Sequence, residues 1–118
     1  MSLNVQPLSS GTAVQSAAAD NAVATATVPV QAGVSNYLVG FWADYDVTVS
    51  AIKAVTVTRT YGGASKVEVY LHDFTNGPFG LPLPGVIHGD EGTAITVALA
   101  ASGAGSTNGR VIAYYFTN

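Results

Sequence analysis

The chain has 118 residues and a formal net charge of −3 at neutral pH, and charged residues make up 9% of the sequence. This length predicts one compact domain, because two ordinary domains need a longer chain. With only 4 lysines and arginines, the chain lacks the clustered basic face by which proteins usually bind nucleic acid. The composition therefore argues against a nucleic-acid partner.

The low charge predicts a partly covered surface. Soluble domains contain about 25% charged residues, and the cores of subunit interfaces are depleted in charge. A monomeric sandwich rich in threonine and serine would have the same composition, so both alternatives stay open. No apolar run approaches the roughly 18 residues of a membrane span, and the first 20 residues show no secretory signal pattern. The chain contains no cysteine, so its stability cannot depend on disulfides.

Residues 1–20 are predicted to form an extended N-terminal arm. They are rich in serine, alanine and glutamine and carry too few apolar groups to order as an independent unit. The arm is either disordered or ordered against a neighbouring subunit, with a short helical turn possible over residues 15–20. Deleting it should then leave the melting temperature nearly unchanged.

The first predicted strands follow directly. Residues 22–30 alternate alanine or valine with threonine, and Pro29 places this strand at a sheet edge or at its own end. Residues 36–43 (NYLVGFWA) form a short apolar run, which predicts a strand buried on both faces or at a subunit contact. We expect Trp42, within that run, to pack in the core or against a subunit.

The clearest strand pattern is AIKAVTVTRTY at residues 51–61. Val55 and Val57 should face the core, with the alternate threonines facing water. The turn at Gly62 and Gly63, followed by alternation over residues 66–72, predicts a β-hairpin.

Residues 73–92 contain 3 prolines and 5 glycines, which predicts a long irregular connection whose apolar side chains lie across a sheet or under a partner chain. Residues 93–101 and 110–116 alternate again and predict two final strands. Asn108 and Gly109 are expected to supply the positive φ angles of the turn between them.

Six or seven strands without a long helix predict an all-β fold. The expected architecture is a jelly-roll-like antiparallel β-sandwich formed by residues 21–118. A closed barrel is the alternative, because strand number alone does not distinguish the two.

Two kinds of metal site are conceivable. His72-Asp73 and His88-x-Asp90-Glu91 cluster imidazole with carboxylate, but their spacing matches no established zinc or iron motif. Asp44-x-Asp46 offers oxygen ligands to calcium, although aspartates in turns more often bind backbone amides. We predict no metal, no cofactor and no catalytic residue. Without cysteine or a Gly-x-Ser-x-Gly elbow, the chain is not expected to be an enzyme.

The aromatic residues suggest a different binding function. An exposed aromatic side chain can stack on a sugar ring. Tyr70, Tyr114 or Tyr115 would serve if they pointed outward, so a carbohydrate- or receptor-binding module is the alternative function.

The segment order resembles a known class of protein. A small-residue arm, the NYLVGFWA and AIKAVTVT strands, a proline-rich crossover and a final GSTNGRVIAYYFTN segment are similar to small β-sandwich virion proteins of tailed bacteriophages, which decorate capsids or form parts of fibres. The resemblance spans residues 21–118. It implies a virion structural protein that forms a homo-oligomer, with a trimer favoured, on a capsid or tail protein surface.

The apolar run and the crossover carry more apolar surface than one small core needs. The candidate interface residues are therefore Tyr37, Phe41, Trp42, Phe79, Leu81 and Leu83.

Overall fold

The computed structural model describes residues 12–118, which form two antiparallel β-sheets packed face to face. The predicted all-β sandwich is confirmed. Strands β1 to β9 of this region are Thr12–Gln15, Ala19–Asp20, Ala24–Val28, Asn36–Tyr45, Ile52–Tyr61, Ala64–Asp73, Phe79–His88, Ile95–Leu99 and Asn108–Thr117. A 3₁₀ turn, Phe74–Asn76, connects β6 to β7. Within these residues no helix is long and apolar enough to cross a membrane.

Each sheet has two central strands. In sheet A the order is β1-β9-β4-β7, with β2 also paired to β9, and in sheet B it is β3-β8-β5-β6. The predicted first strand lies at the edge of sheet B and ends just before Pro29, as expected. The jelly-roll arrangement stays a prediction.

The core lies between the sheets and follows the predicted alternation. Val55 and Val57 are fully buried, as are the inward residues of the neighbouring strand β8. Burying one such aliphatic side chain contributes about 1.5–3 kcal/mol. The largest fully buried side chains include Phe41, Leu38, Ile95, Leu99, Val28 and Val111.

The N-terminal prediction is wrong for the residues that the structure describes. β1 pairs antiparallel with β9 from Thr12↔Tyr115 to Gln15↔Ile112, and β2 pairs with the start of β9. Ser16 is buried between them, where its Oγ accepts the Val111 N–H at 3.0 Å and its own N–H donates to the Val111 carbonyl at 2.9 Å. Backbone pairing to a free strand edge requires no apolar periodicity, so the composition of residues 12–20 did not reveal it. The rest of the predicted arm lies outside the described residues.

The predicted irregular connection contains a strand. β7 pairs with β4 at the edge of sheet A, where Pro82 lies opposite Gly40. An edge strand tolerates proline because it needs hydrogen bonds on one side only. The register between β4 and β7 shifts between Leu38 and Gly40, as it does at a β-bulge.

The turn residues were correctly predicted in one case and wrongly in another. Gly62 and Gly63 have φ angles of 63° and 76°, as a tight hairpin requires. Before β9 the positive φ angles instead belong to Gly103 and Ser106. Asn108 and Gly109 already belong to the strand.

Candidate functional site

The two histidines lie in aromatic packing. His72 stacks on Phe79 with ring centroids 4.5 Å apart, and its Nε2 lies 3.0 Å from the Gly77 carbonyl oxygen. His88 stacks on Tyr37 at 5.2 Å. No three histidine, aspartate or glutamate side chains among residues 12–118 are grouped to hold a metal ion. The two histidine segments therefore provide packing contacts here.

Asp90 fastens the β5–β6 hairpin turn. Its two carboxylate oxygens accept the backbone N–H groups of Gly63 at 2.8 Å and Gly62 at 2.9 Å. These bonds stabilise the charged form and hold the pKa of Asp90 below its usual value of 3.8. Asp90 therefore acts as a clamp on the hairpin turn. It lies in the segment that the sequence offered as a conceivable metal site.

The clamp predicts an acid-sensitive hairpin. Because the pKa of Asp90 is lower in the folded chain, its stabilising effect is complete above the unfolded pKa and is lost as the pH falls through the folded value. The pKa values of Asp46 and Asp73 are also lowered, by hydrogen bonds from Asn108 and Thr75. Asp90→Asn should lower the melting temperature near pH 7. Below pH 4 the melting temperature of the variant should fall less than that of the wild type, but it should still fall because Asp46 and Asp73 also become protonated.

Melting curves between pH 2.5 and 7 test this expectation. Asp20→Asn is the matched control, because it removes the same charge but no hydrogen bond within residues 12–118. The clamp would be rejected if Asp90→Asn and Asp20→Asn had the same effect.

The predicted interface residues do not come together. Phe41 is only 2% exposed and meets Phe79 edge-to-face at 5.2 Å inside the core. Its assignment to an interface is therefore wrong. Leu81 and Leu83 are half-buried and, like Phe79, pack against the core from β7. Tyr37 and Trp42 lie on the opposite, outer face of sheet A.

The position of Trp42 corrects a second expectation. Trp42 follows the inward-facing Phe41, and successive residues of a strand point to opposite faces. It is half-buried and lies between Ile112 of β9 and Gly80 of β7 in the sheet register. Packing of Trp42 in the core is therefore wrong, and its contact with a subunit stays a prediction.

A cleft of about 140 Å³ adjoins Trp42 at one end of sheet A. Asp46 forms part of its wall, accepting the Asn108 backbone N–H at 2.8 Å and the Asn108 Nδ2 at 3.0 Å. These two bonds join Asp46 to a residue far away in the chain, so they are not the local turn contacts that the sequence suggested for this aspartate. Beneath them the Tyr45 hydroxyl donates to the Ala100 carbonyl at 2.6 Å, and burial raises the pKa of Tyr45 to about 12. The residues lining the cleft are Trp42, Asp44, Tyr45, Asp46, Asn108 and Arg110.

The tyrosines proposed as sugar contacts divide between the two faces. Tyr114 aligns with Gly40 on the outer face of sheet A, as that function requires. Tyr115 is buried, and Tyr70 packs against Phe41 at 5.6 Å. Asn108 and Arg110 were not predicted to line a site, although their position after a turn and at the start of an alternating segment marks a strand end.

The outer face of sheet B is apolar along β6. Val67, Val69 and Leu71 are 57%, 58% and 69% exposed, and Ile52 of β5 is 64% exposed. The alternate residues of β6 turn toward the other sheet, where Glu68 forms an ion pair with Arg59 at 3.1 Å. The Arg59 Nη1 also donates to the His88 carbonyl at 2.8 Å. The hydrophobic phase of β6 therefore faces outward.

No protein-family model matches the chain, and no curated protein matches it significantly. The outer faces of the two sheets are the surfaces whose geometry can indicate a function.

Proposed function

We propose that this protein is a non-enzymatic structural component of a virion, which assembles as a homo-oligomer and binds a capsid or tail protein surface. The observation that supports this proposal is the uncharged, partly apolar outer face of sheet B. Monomeric soluble proteins rarely expose apolar patches larger than a few hundred Å². A face of this kind is suited to being covered in an assembly.

The face is uncharged across all four strands. One row of paired positions runs Thr27, Thr96, Thr58 and Val67, and the next runs Thr25, Ala98, Thr56 and Val69. Leu71 pairs with Ala54 beside these rows, and Asp73 lies only at the margin, opposite Ile52. Burial of such a face would leave few charges to desolvate.

The size of the face is also appropriate. Four strands spaced roughly 4.8 Å apart, two about 34 Å long and two about 17 Å long, span roughly 500 Å² before side-chain relief is counted. A standard interface buries about 800 Å² on each partner. The outer face of sheet B and its margins are therefore of the order of one subunit contact.

Strand β6 offers a further contact. It is a ten-residue strand at the edge of sheet B, and an edge strand has backbone groups that another chain can pair with. The resemblance to phage β-sandwich proteins favours a trimer as the homo-oligomer.

A charge placed in the apolar part of the face, on β6, tests the proposal. Wild-type protein at tens of micromolar should have a mass in solution near three times its 12.0 kDa chain mass. Val69→Lys should shift the protein to the monomer, because assembly would bury an unpaired ammonium group. Light scattering after gel filtration measures both masses.

Val86→Lys provides the matched control. Val86 is 47% exposed on β7 of sheet A, so the substitution adds the same charge away from the proposed face. The proposal fails if the wild-type protein is monomeric, or if Val86→Lys dissociates the oligomer and Val69→Lys does not.

A further inference from the structure

The outer face of sheet A has an open aromatic surface. Gly80 is the neighbour of Trp42 on β7, and a Cβ at position 80 would lie 3.4 Å from the Trp42 Cδ1. Gly80 is not among the glycines with a positive φ, so its backbone does not require glycine. The absence of a side chain at position 80 instead leaves space beside the Cδ1 edge of the partly buried indole.

Polar side chains lie next to the indole, at the next outward-facing positions along β4 and β9. Asp44 and Arg110 lie opposite each other in the β4–β9 register, one outward position beyond Trp42 and Ile112. Neither side chain makes a hydrogen bond or ion pair with another of residues 12–118. Asp44 therefore offers carboxylate acceptors, and Arg110 offers guanidinium donors, to a ligand on the ring.

The cleft is held in shape before any ligand arrives. The Asp46 N–H donates to the Asn108 carbonyl at 2.9 Å, in addition to the two bonds that Asp46 accepts from Asn108. These contacts join the end of β4 to the start of β9. Because this junction is already formed, the ordering cost of binding is limited to the side chains that contact the ligand.

We propose that this cleft binds one pyranose ring of a neutral saccharide, with the apolar face of the sugar on Trp42 and its hydroxyl groups on Asp44 and Arg110. An aromatic ring next to separate donors and acceptors matches a ligand with an apolar face and a polar rim. The cleft is smaller than the roughly 300–1,000 Å³ pockets that enclose drug-sized ligands, which fits contact with a single ring.

Charge favours a neutral ligand over an acidic one. The cleft is lined by two carboxylates, Asp44 and Asp46, and one guanidinium, Arg110, so its formal charge of about −1 disfavours an anion. The chain as a whole has a formal charge of −3, which repels polyanions at long range. This site faces away from the outer face of sheet B, so its existence does not depend on the proposed assembly.

A glycan array followed by fluorescence titration tests the site. Trp42 is the single tryptophan of the chain, so its emission should change when a neutral saccharide selected on the array binds at millimolar concentration or below. Asp44→Ala and Arg110→Ala should each weaken binding about tenfold or more, since a hydrogen bond to a charged group contributes about 1.5–3 kcal/mol and tenfold corresponds to 1.4 kcal/mol. Trp42→Ala should abolish binding, measured by calorimetry because the fluorescent group is lost.

A substitution that leaves the indole in place separates binding from folding. Gly80→Leu should block the site by covering Trp42, while circular dichroism shows the sheets intact. Tyr61→Ala is the matched control, because Tyr61 is 42% exposed outside the cleft, and it should bind as the wild type does.

The proposal is overturned if no neutral saccharide binds, if only acidic glycans bind, or if folded Gly80→Leu and Asp44→Ala bind like the wild type. Binding by the Val69→Lys monomer would separate this site from the assembly role. If the wild-type protein instead proves monomeric and still binds the saccharide, the proposed assembly alone fails.

Discussion

Replacing Phe41 with alanine is expected to lower the free energy of unfolding by about 3–5 kcal/mol, the range for truncating a buried phenylalanine. Phe41 is 2% exposed and contacts Phe79 and Tyr70 between the sheets. The same truncation at Trp42 is expected to cost less, because Trp42 lies on the outer face of sheet A and is only partly buried. Replacing Trp42, the larger residue, should therefore lower the free energy of unfolding less than replacing Phe41.

Urea unfolding followed by far-ultraviolet circular dichroism compares the two variants. The protein concentration must be the same throughout, since assembly adds to apparent stability. Equal costs, or a greater cost at Trp42, would contradict the assignment of Phe41 to the core and Trp42 to the outer face.

Removing residues 1–20 is expected to destabilise the sandwich by about 3 kcal/mol or more, since each net hydrogen bond contributes about 1 kcal/mol. The deletion removes β1 and β2 and exposes the edge of β9, which they cover. This expectation reverses the one drawn from composition. Thermal unfolding of the truncated and complete chains measures the difference.

A single substitution tests the same junction. Ser16→Ala removes the acceptor for the buried Val111 N–H and should cost about 1–3 kcal/mol, the penalty for an unpaired buried donor. Ser65→Ala, at an exposed position of β6, is the control and should change stability by less than about 0.5 kcal/mol. If the truncated and complete chains unfolded at the same temperature, β1 and β2 would contribute nothing to the stability of the fold.

The candidate site was only partly predictable. The outward position of Tyr114 was an open alternative in the sequence. Trp42 and Arg110 come together only through the pairing of β4 with β9. Gly80 lies beside Trp42 on β7, a strand that was not predicted because its segment contains prolines. No local pattern connects three segments so far apart in the chain.

The sequence by itself determined the elements whose signal is local. Alternation of Val55 and Val57 with threonines identifies a half-buried strand, because side chains of a strand point to alternate faces. The glycines at 62 and 63 identify the hairpin turn, because its φ angles exclude most other residues.

Only the tertiary structure decided which phase of β6 faces inward. Alternation is satisfied equally well with Val67, Val69 and Leu71 on either side. The choice depends on what the opposite face can accept, and here the pairing of Glu68 with Arg59 and the packing of Tyr70 on Phe41 occupy the inner side. Edge positions were likewise decided by tertiary structure. A free edge accepts backbone hydrogen bonds from residues 12–20 and tolerates proline in β7, and neither property depends on hydrophobic periodicity.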